Sequence, residues 1–222
     1  MPSSERIAFF GGSFDPPHLG HLAAARAARE ALHLDRVLFA PVGSQPLKPK
    51  GASASFADRL EMTRLAIAGD PTFELSLLDA PHTTGAPNYT LDTMRTLHEH
   101  LPGAELFLLL GADSFALLRN WHGAAEIPFM ASLVVVSRPG QQIGNLAAFL
   151  PAGLTLIPAA SNTELLAYTL INSGGHTAAL YLLPDLDIPL SASQSRAQTR
   201  AGAPSPLPPA VAEYIRAHGL YQ

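Results

Sequence analysis

The sequence predicts an α/β protein: a doubly wound, mostly parallel sheet with helices on both faces and a small C-terminal helical segment. Two observations carry this. Short apolar runs alternate with longer amphipathic stretches along the 222 residues. The runs are nearly unbroken in their apolar character, as befits strands covered on both faces. A hydrophobic fraction of 47% against 14% charged residues supplies a sizeable core and argues against disorder.

The first run, RIAFF (6–10), is a strand, and LGHLAAARAAREALHL (19–34) the helix after it. RVLFAPV (36–42) is the second strand, followed by the helix FADRLEMTRLAIAG (56–69), whose Leu60, Leu65 and Ile67 are expected in the core. FELSLL (73–78) precedes the helical YTLDTMRTLHEHL (89–101). ELFLLLG (105–111), SLVVVSR (132–138), LTLIP (154–158) and AALYLLP (178–184) complete the expected buried strands. The tail LPPAVAEYIRAHGLY (207–221) forms a last helix, with proline near its start and Gly219 as terminator. GSQPLKPKGASAS (43–55) and RPGQQIGN (138–145) read as loops. Without an internal repeat or an obvious linker, residues 1–222 are expected to form one Rossmann-like domain, its helical segment starting at about 191.

Composition excludes several classes. The formal net charge of -4 offers no global attraction to nucleic acid, so any anion site must be local. With no cysteine, disulfides, thiolate nucleophiles and Cys-ligated zinc are ruled out. No segment reaches the ~18 apolar residues of a membrane helix, and MPSSERIAFFGG is too charged for a signal peptide. The expectation is a cytoplasmic protein that binds neither membrane nor nucleic acid.

The chemistry concentrates in GGSFDPPHLGH (11–21). Open parallel sheets bind ligands beyond the carboxyl ends of their strands, and Gly11 and Gly12 stand where the first strand ends. Asp15 is expected to cap the following helix, with Pro16 or Pro17 in its first turn. His18 and His21, three apart, then share one face of that turn, beside free N–H groups and the positive end of the helix dipole. That is an anion cradle with two added donors. By spacing alone the pair is equally well read as surface polarity; a zinc site is weaker, because no third ligand stands nearby. The glycines do not match the dinucleotide fingerprint G-x-G-x-x-G.

GGSFDPPHLGH resembles the GGTFDPxHxGH signature of nucleotidyltransferases, and the branch it resembles is the bacterial nicotinate mononucleotide adenylyltransferases. The resemblance spans nearly the whole chain: APNYTLDTMRTL (86–97), LLGADSFALLRNWH (109–122), VVVSRPG (134–140) and the ending HGLY (218–221) follow in the family's order. It implies transfer of an adenylyl group from ATP to nicotinate mononucleotide, giving the deamido dinucleotide and pyrophosphate. His18 and His21 would then contact the ATP phosphates, and Gly11, Gly12, Ser13 and Phe14 would line the nucleotide and acceptor pocket. Asp113, after Gly111, would sit near the ribose, and Lys48 would meet phosphate. Tyr89, Thr90 and Trp121 would enclose the pyridine nucleotide, partly through backbone N–H donors of 89–90 and 121–122. Magnesium would arrive with the triphosphate, since the sequence offers no carboxylate cage.

The family's closing I-S-x-T-x-I-R segment, at a helix start, is represented here by LSASQSR (190–196). Ser193 keeps a hydroxyl and Arg196 the arginine, both as ATP contacts. Ser195 replaces an apolar residue, at the expense of packing rather than chemistry. His98 and His100 read as solvated, and His82 and His122 as loop residues bordering the substrate segments. Rival readings are an adenylyltransferase for another phosphorylated acceptor (nicotinamide mononucleotide or phosphopantetheine) and a nucleotide-binding regulator without catalysis. The oligomeric state is left open, a homo-oligomer included.

Overall fold

Eight strands form one sheet in the order β3-β2-β1-β4-β5-β8-β7-β6. They are β1 (Arg6–Gly12), β2 (Arg36–Pro41), β3 (Phe73–Leu75), β4 (Glu105–Gly111), β5 (Ser132–Val136), β6 (Leu154–Pro158), β7 (Leu166–Asn172) and β8 (Thr177–Leu183). This computed structural model describes residues 4–47, 51–137, 145–162, 165–184, 186, 192–201, 203 and 206–222. The expected loop at 138–145 lies outside them except for Asn145.

From β3 to β8 all pairings are parallel. Each strand sends alternate residues to opposite faces, and both faces are apolar. Ala8, Phe10, Phe39, Phe107 and Val134 enter one core; Ile7, Phe9, Leu38, Leu108 and Val135 enter the other. The first core is covered by α1 (Leu19–Leu32), α2 (Phe56–Ile67) and α7 (Pro209–Ala217), the second by α3 (Thr90–His100) and the short α5 (Ile127–Met130). Burial on both sides explains why these strands are legible as unbroken apolar runs.

The helices follow local rules. Leu22, Ala25, Ala28 and Leu32 recur at helical spacing on α1 and are buried. Ser55 caps α2: its Oγ accepts from Asp58 N at 3.1 Å and donates to the Asp58 carboxylate at 2.6 Å. α7 begins at Pro209, and Gly219 beyond it has φ +60, as the Pro and Gly signals require.

Three expectations are corrected. LTLIP is not a buried strand: β6 pairs antiparallel with β7 at the sheet edge, and Ile157 is 45% exposed. β7, absent from the sequence reading, lies antiparallel between β6 and β8. FELSLL is a strand only as far as Leu75, and in α2 only Ile67 of the three leucine and isoleucine positions is fully buried. Buried there instead are Arg59, Met62, Thr63 and Ala66.

Beyond the end of β2, Gly43 N donates to Asp79 O at 2.7 Å, and a Cβ on Gly43 would fall 2.5 Å from the backbone N and Cα of Pro81. Backbone cannot yield as a flexible side chain does. Gly43→Ala is therefore expected to destabilise the fold by about 1–3 kcal/mol, read as a lower urea midpoint; an unchanged midpoint refutes the packing argument.

Candidate active site

The strand order reverses between β1 and β4, so the chain leaves these neighbours toward opposite sides of the sheet. Beyond their carboxyl ends lies a cavity of about 1070 Å³. That is the top of the range for one drug-sized ligand and leaves room for two substrates side by side.

Its floor is made by Gly11, Gly12 and Gly111. A Cβ at Gly11 would meet the Phe9 ring at 3.0 Å and Asp79 Oδ2 at 3.3 Å, so any larger residue there would crowd both side chains. Ser13 Oγ donates to Gln45 Oε1 at 3.0 Å, and the Ser13 carbonyl accepts from Arg59 Nη1 at 2.7 Å. Phe14, at φ +44, turns its ring into the core beside Phe10 and Phe39.

His18, not Asp15, is the N-cap residue of α1. Its backbone N–H donates to His21 Nδ1 at 3.1 Å, and the two rings stack at 3.7 Å. An accepting Nδ1 carries no proton, so Nε2 is the donor that His21 can offer a ligand. The His21 ring rests edge-on against Phe14, centroids 5.0 Å apart, which fixes its direction. Two first-turn donors expected for the ligand are already engaged: Leu19 N bonds Pro206 O at 3.0 Å and His21 N bonds His18 O at 2.9 Å.

Asp15 plays another part. Its carboxylate, 4% exposed, accepts from Ser53 N at 2.6 Å, Ala54 N at 3.1 Å and the Tyr221 hydroxyl at 2.7 Å. A short polar side chain just before a helix signals a cap, but tertiary donors claimed this one.

The opposite wall comes from the segment leading into α3 and from the 112–122 region. Tyr89 caps α3, Thr90 begins it, and Trp121, half-buried, ends the 3₁₀ turn Leu118–Asn120. The Tyr89 and His122 rings pack 4.6 Å apart. Trp121 N–H bonds Leu118 O at 2.9 Å, so that backbone donor is not open to a ligand. Asp113 sits exposed in the first turn after Gly111, in the helix α4 (Ala112–Phe115). α6 (Ala192–Arg200) brings Ser193 and Arg196 to the rim and buries Ser195 completely. Thus every residue to which the resemblance gives a substrate contact lines one cavity, except Lys48, which lies outside the described residues. His98 and His100 are exposed on α3 away from it, His98 Nε2 meeting Met130 O at 2.6 Å.

Among the described residues no group of three or more His, Asp or Glu side chains could hold a metal. No helix of those residues is long and apolar enough to cross a membrane.

Residues 9–194 match the cytidylyltransferase-like family model. A Roseiflexus sp. protein named probable nicotinate-nucleotide adenylyltransferase is 42% identical over 99% of this chain and 100% of its own. One of the same name from Gloeobacter violaceus is 39% identical over 98% of this chain and 96% of its own. The chain belongs to the nicotinate-nucleotide adenylyltransferase family. In fold it resembles the Plasmodium falciparum nicotinic acid mononucleotide adenylyltransferase complexed with NaAD, with a TM-score of 0.72 at 16% identity over 98% of this chain and 97% of that one.

Sequence reasoning about this family member missed Arg59 and Asp79, both ionisable groups that the fold buries. Burial lowers the Arg59 pKa, against the opposing pull of Asp15. Burial also raises Asp79 above the ordinary 3.8 of an aspartate, although Thr93 Oγ1 donates to its Oδ1 at 2.6 Å. A single acidic letter between two loops carries no sign of this; only the covering by α3 and the Gly43 loop creates it.

A carboxyl with a raised folded pKa holds its proton more tightly folded than unfolded. Its stabilising contribution is present in full below 3.8 and is lost as pH rises through the folded value. Asp79→Asn keeps an acceptor for Thr93 and never ionises. Its melting temperature relative to wild type should therefore climb as pH rises above 3.8; a pH-independent difference would contradict burial of the charge.

Proposed function

We infer that this chain joins the adenylyl group of ATP to nicotinate mononucleotide, giving the deamido dinucleotide and pyrophosphate. The observation that carries this reading is the stacked His18–His21 pair at the start of α1, facing a cavity large enough for both substrates at the strand-order switch. Family membership and the fold neighbour complexed with NaAD support the same choice.

The acceptor's 5′-phosphate is an anionic nucleophile at neutral pH and needs no general base. One of its oxygens attacks the α-phosphorus of ATP, the bond from that phosphorus to the bridging oxygen breaks, and pyrophosphate departs with the electron pair. The protein's task is to hold two anions in line and to meet charge where it develops. His21 Nε2–H and the His18 ring are the donors at the centre, aided by the positive end of the α1 dipole. Ser193 and Arg196 at the rim suit the outer phosphates, where a planar guanidinium can contact two oxygens at once. Asp113, which lines the cavity in the first turn after β4, is assigned to the ribose and Lys48 to phosphate, both from the motif resemblance. A magnesium ion brought in by the triphosphate would neutralise charge on its oxygens, while the chain's own cationic and hydroxyl groups, Arg196 and Ser193, would meet the remaining phosphate oxygens.

At the acceptor wall the Tyr89 and His122 rings, whose hydroxyl and imidazole can donate, pack together in the cavity that Trp121 also lines. Donors favour a carboxylate, because an amide would turn its own NH₂ toward one of them. One such mismatch of ~1–3 kcal/mol corresponds to a preference of roughly 5–150-fold.

Two outcomes are expected. His18→Ala and His21→Ala should each lower kcat about 10²–10³-fold in a folded protein, as for loss of one transition-state donor; near-normal turnover removes the histidines from the mechanism. Comparison of kcat/KM for the two mononucleotides, at equal ATP and Mg²⁺, should favour the nicotinate form within the range above. Equal values would discard the acceptor assignment while leaving adenylyl transfer intact.

A further inference from the structure

The Asp15 carboxylate is a junction between distant parts of the chain. It takes two backbone N–H groups from residues 53 and 54, the hydroxyl of Tyr221, and an ion pair in which Arg196 Nη1 stands 3.7 Å from Oδ2. Arg196 is held by its neighbours: Nη1 donates to the Asp15 carbonyl at 2.6 Å and Nη2 to Ser193 Oγ at 3.2 Å. A carboxylate has roughly four acceptor sites. Here Oδ1 is filled by Ala54 N and Tyr221, and Oδ2 by Ser53 N with the guanidinium at longer range.

Tyr221 is itself held in place. It is 9% exposed, adopts φ +63, and its carbonyl accepts from Arg200 Nε at 3.4 Å. Burial, then the hydrogen bond to Asp15, push its phenol far above the usual tyrosine range, so it remains a donor at every working pH. If that donor is removed, a buried carboxylate loses a partner, and Arg196, whose Nη1 already stands 3.7 Å from Oδ2, is the cation that can close in to replace it. Arg59 is also close in charge, but its Nη1 is tied to the Ser13 carbonyl.

We propose that Tyr221 is a positioning residue for ATP: by satisfying Asp15, it keeps the Arg196 guanidinium available at the cavity rim instead of collapsed onto that carboxylate. This rests on the reading of Arg196 as a triphosphate contact. Tyr221 touches no substrate, and its effect passes through Asp15 and Arg196.

The test is calorimetric titration of α,β-methylene ATP with Mg²⁺ into wild type, Tyr221→Phe, Arg196→Lys and the double variant, with steady-state kinetics alongside. Phenylalanine keeps the buried ring. Loss of one hydrogen bond to a charged group predicts a roughly tenfold weaker Kd and a matching rise in the KM for ATP. The kcat and the KM for nicotinate mononucleotide should stay within about twofold. In the Arg196→Lys background the Tyr221→Phe effect should largely disappear, the non-additivity expected of groups acting through one another. A partly unfolded variant would lower the number of sites titrated, not their affinity, so folding and positioning are separated. An unchanged Kd in Tyr221→Phe overturns the proposal, as do fully multiplicative effects in the double variant. Failure of wild type to bind the nucleotide would instead overturn the functional reading beneath it.

Discussion

Burial of the sheet on both faces is the constraint from which the rest follows. The strands around β1 and β4 put apolar side chains into two separate cores, so neither face is left for a polar ligand. Chemistry is confined to the strand ends. There the order reversal between β1 and β4 opens a crevice, and the glycines that end both strands leave it unfilled. The site lies where packing requirements cease.

The site handles charge in a way that follows from this position. Apart from the Asp113 carboxylate, the site residues that line the cavity are mainly donors and cations: the histidine pair, Arg196, Ser193 and Tyr89. Behind them, the buried charges are tied to protein. Asp15 is satisfied by two backbone amides and a phenol, Arg59 by a carbonyl, Asp79 by a threonine hydroxyl. Leaving any of these buried groups unpaired would cost more than the pairing itself contributes, so the network resists rearrangement and holds the glycine loop in one shape. Asp79 departs from the donor-rich pattern, being a carboxyl beside Gly11 at the cavity floor whose burial disfavours its charged form.

The histidine pair shows how local geometry selects a chemical role. With Nδ1 of His21 accepting the His18 backbone N–H, the imidazole acts as a directed Nε2 donor. Stacking at 3.7 Å and the edge contact with Phe14 remove the rotational freedom that a surface histidine would keep. Such preorganisation is what stabilisation of a developing phosphate charge requires.

Much of this was legible in order along the chain. Unbroken apolar runs marked the parallel strands because burial on both faces leaves no polar positions to break them. The glycine pair, the histidine spacing and the Ser193–Arg196 segment marked one end of the fold because motif residues are neighbours in sequence. Sequence alone thus determined the class, the succession of β1 to β5 with α1 to α3, and a set of motif residues that line the cavity. It misjudged β6 and missed β7, since an antiparallel edge exposed on one side has a weaker hydrophobic signal than a covered strand. It also took Asp15 for a helix cap. What tertiary structure alone decided are the partners: Tyr221 reaches Asp15 across 206 positions and Arg196 across 181. The burial that makes Arg59 and Asp79 consequential is equally a property of the assembled layers. Such pairings leave no periodicity, because a hydrogen bond between distant segments depends on where the sheet and helices place them and on nothing in the residues next to either end.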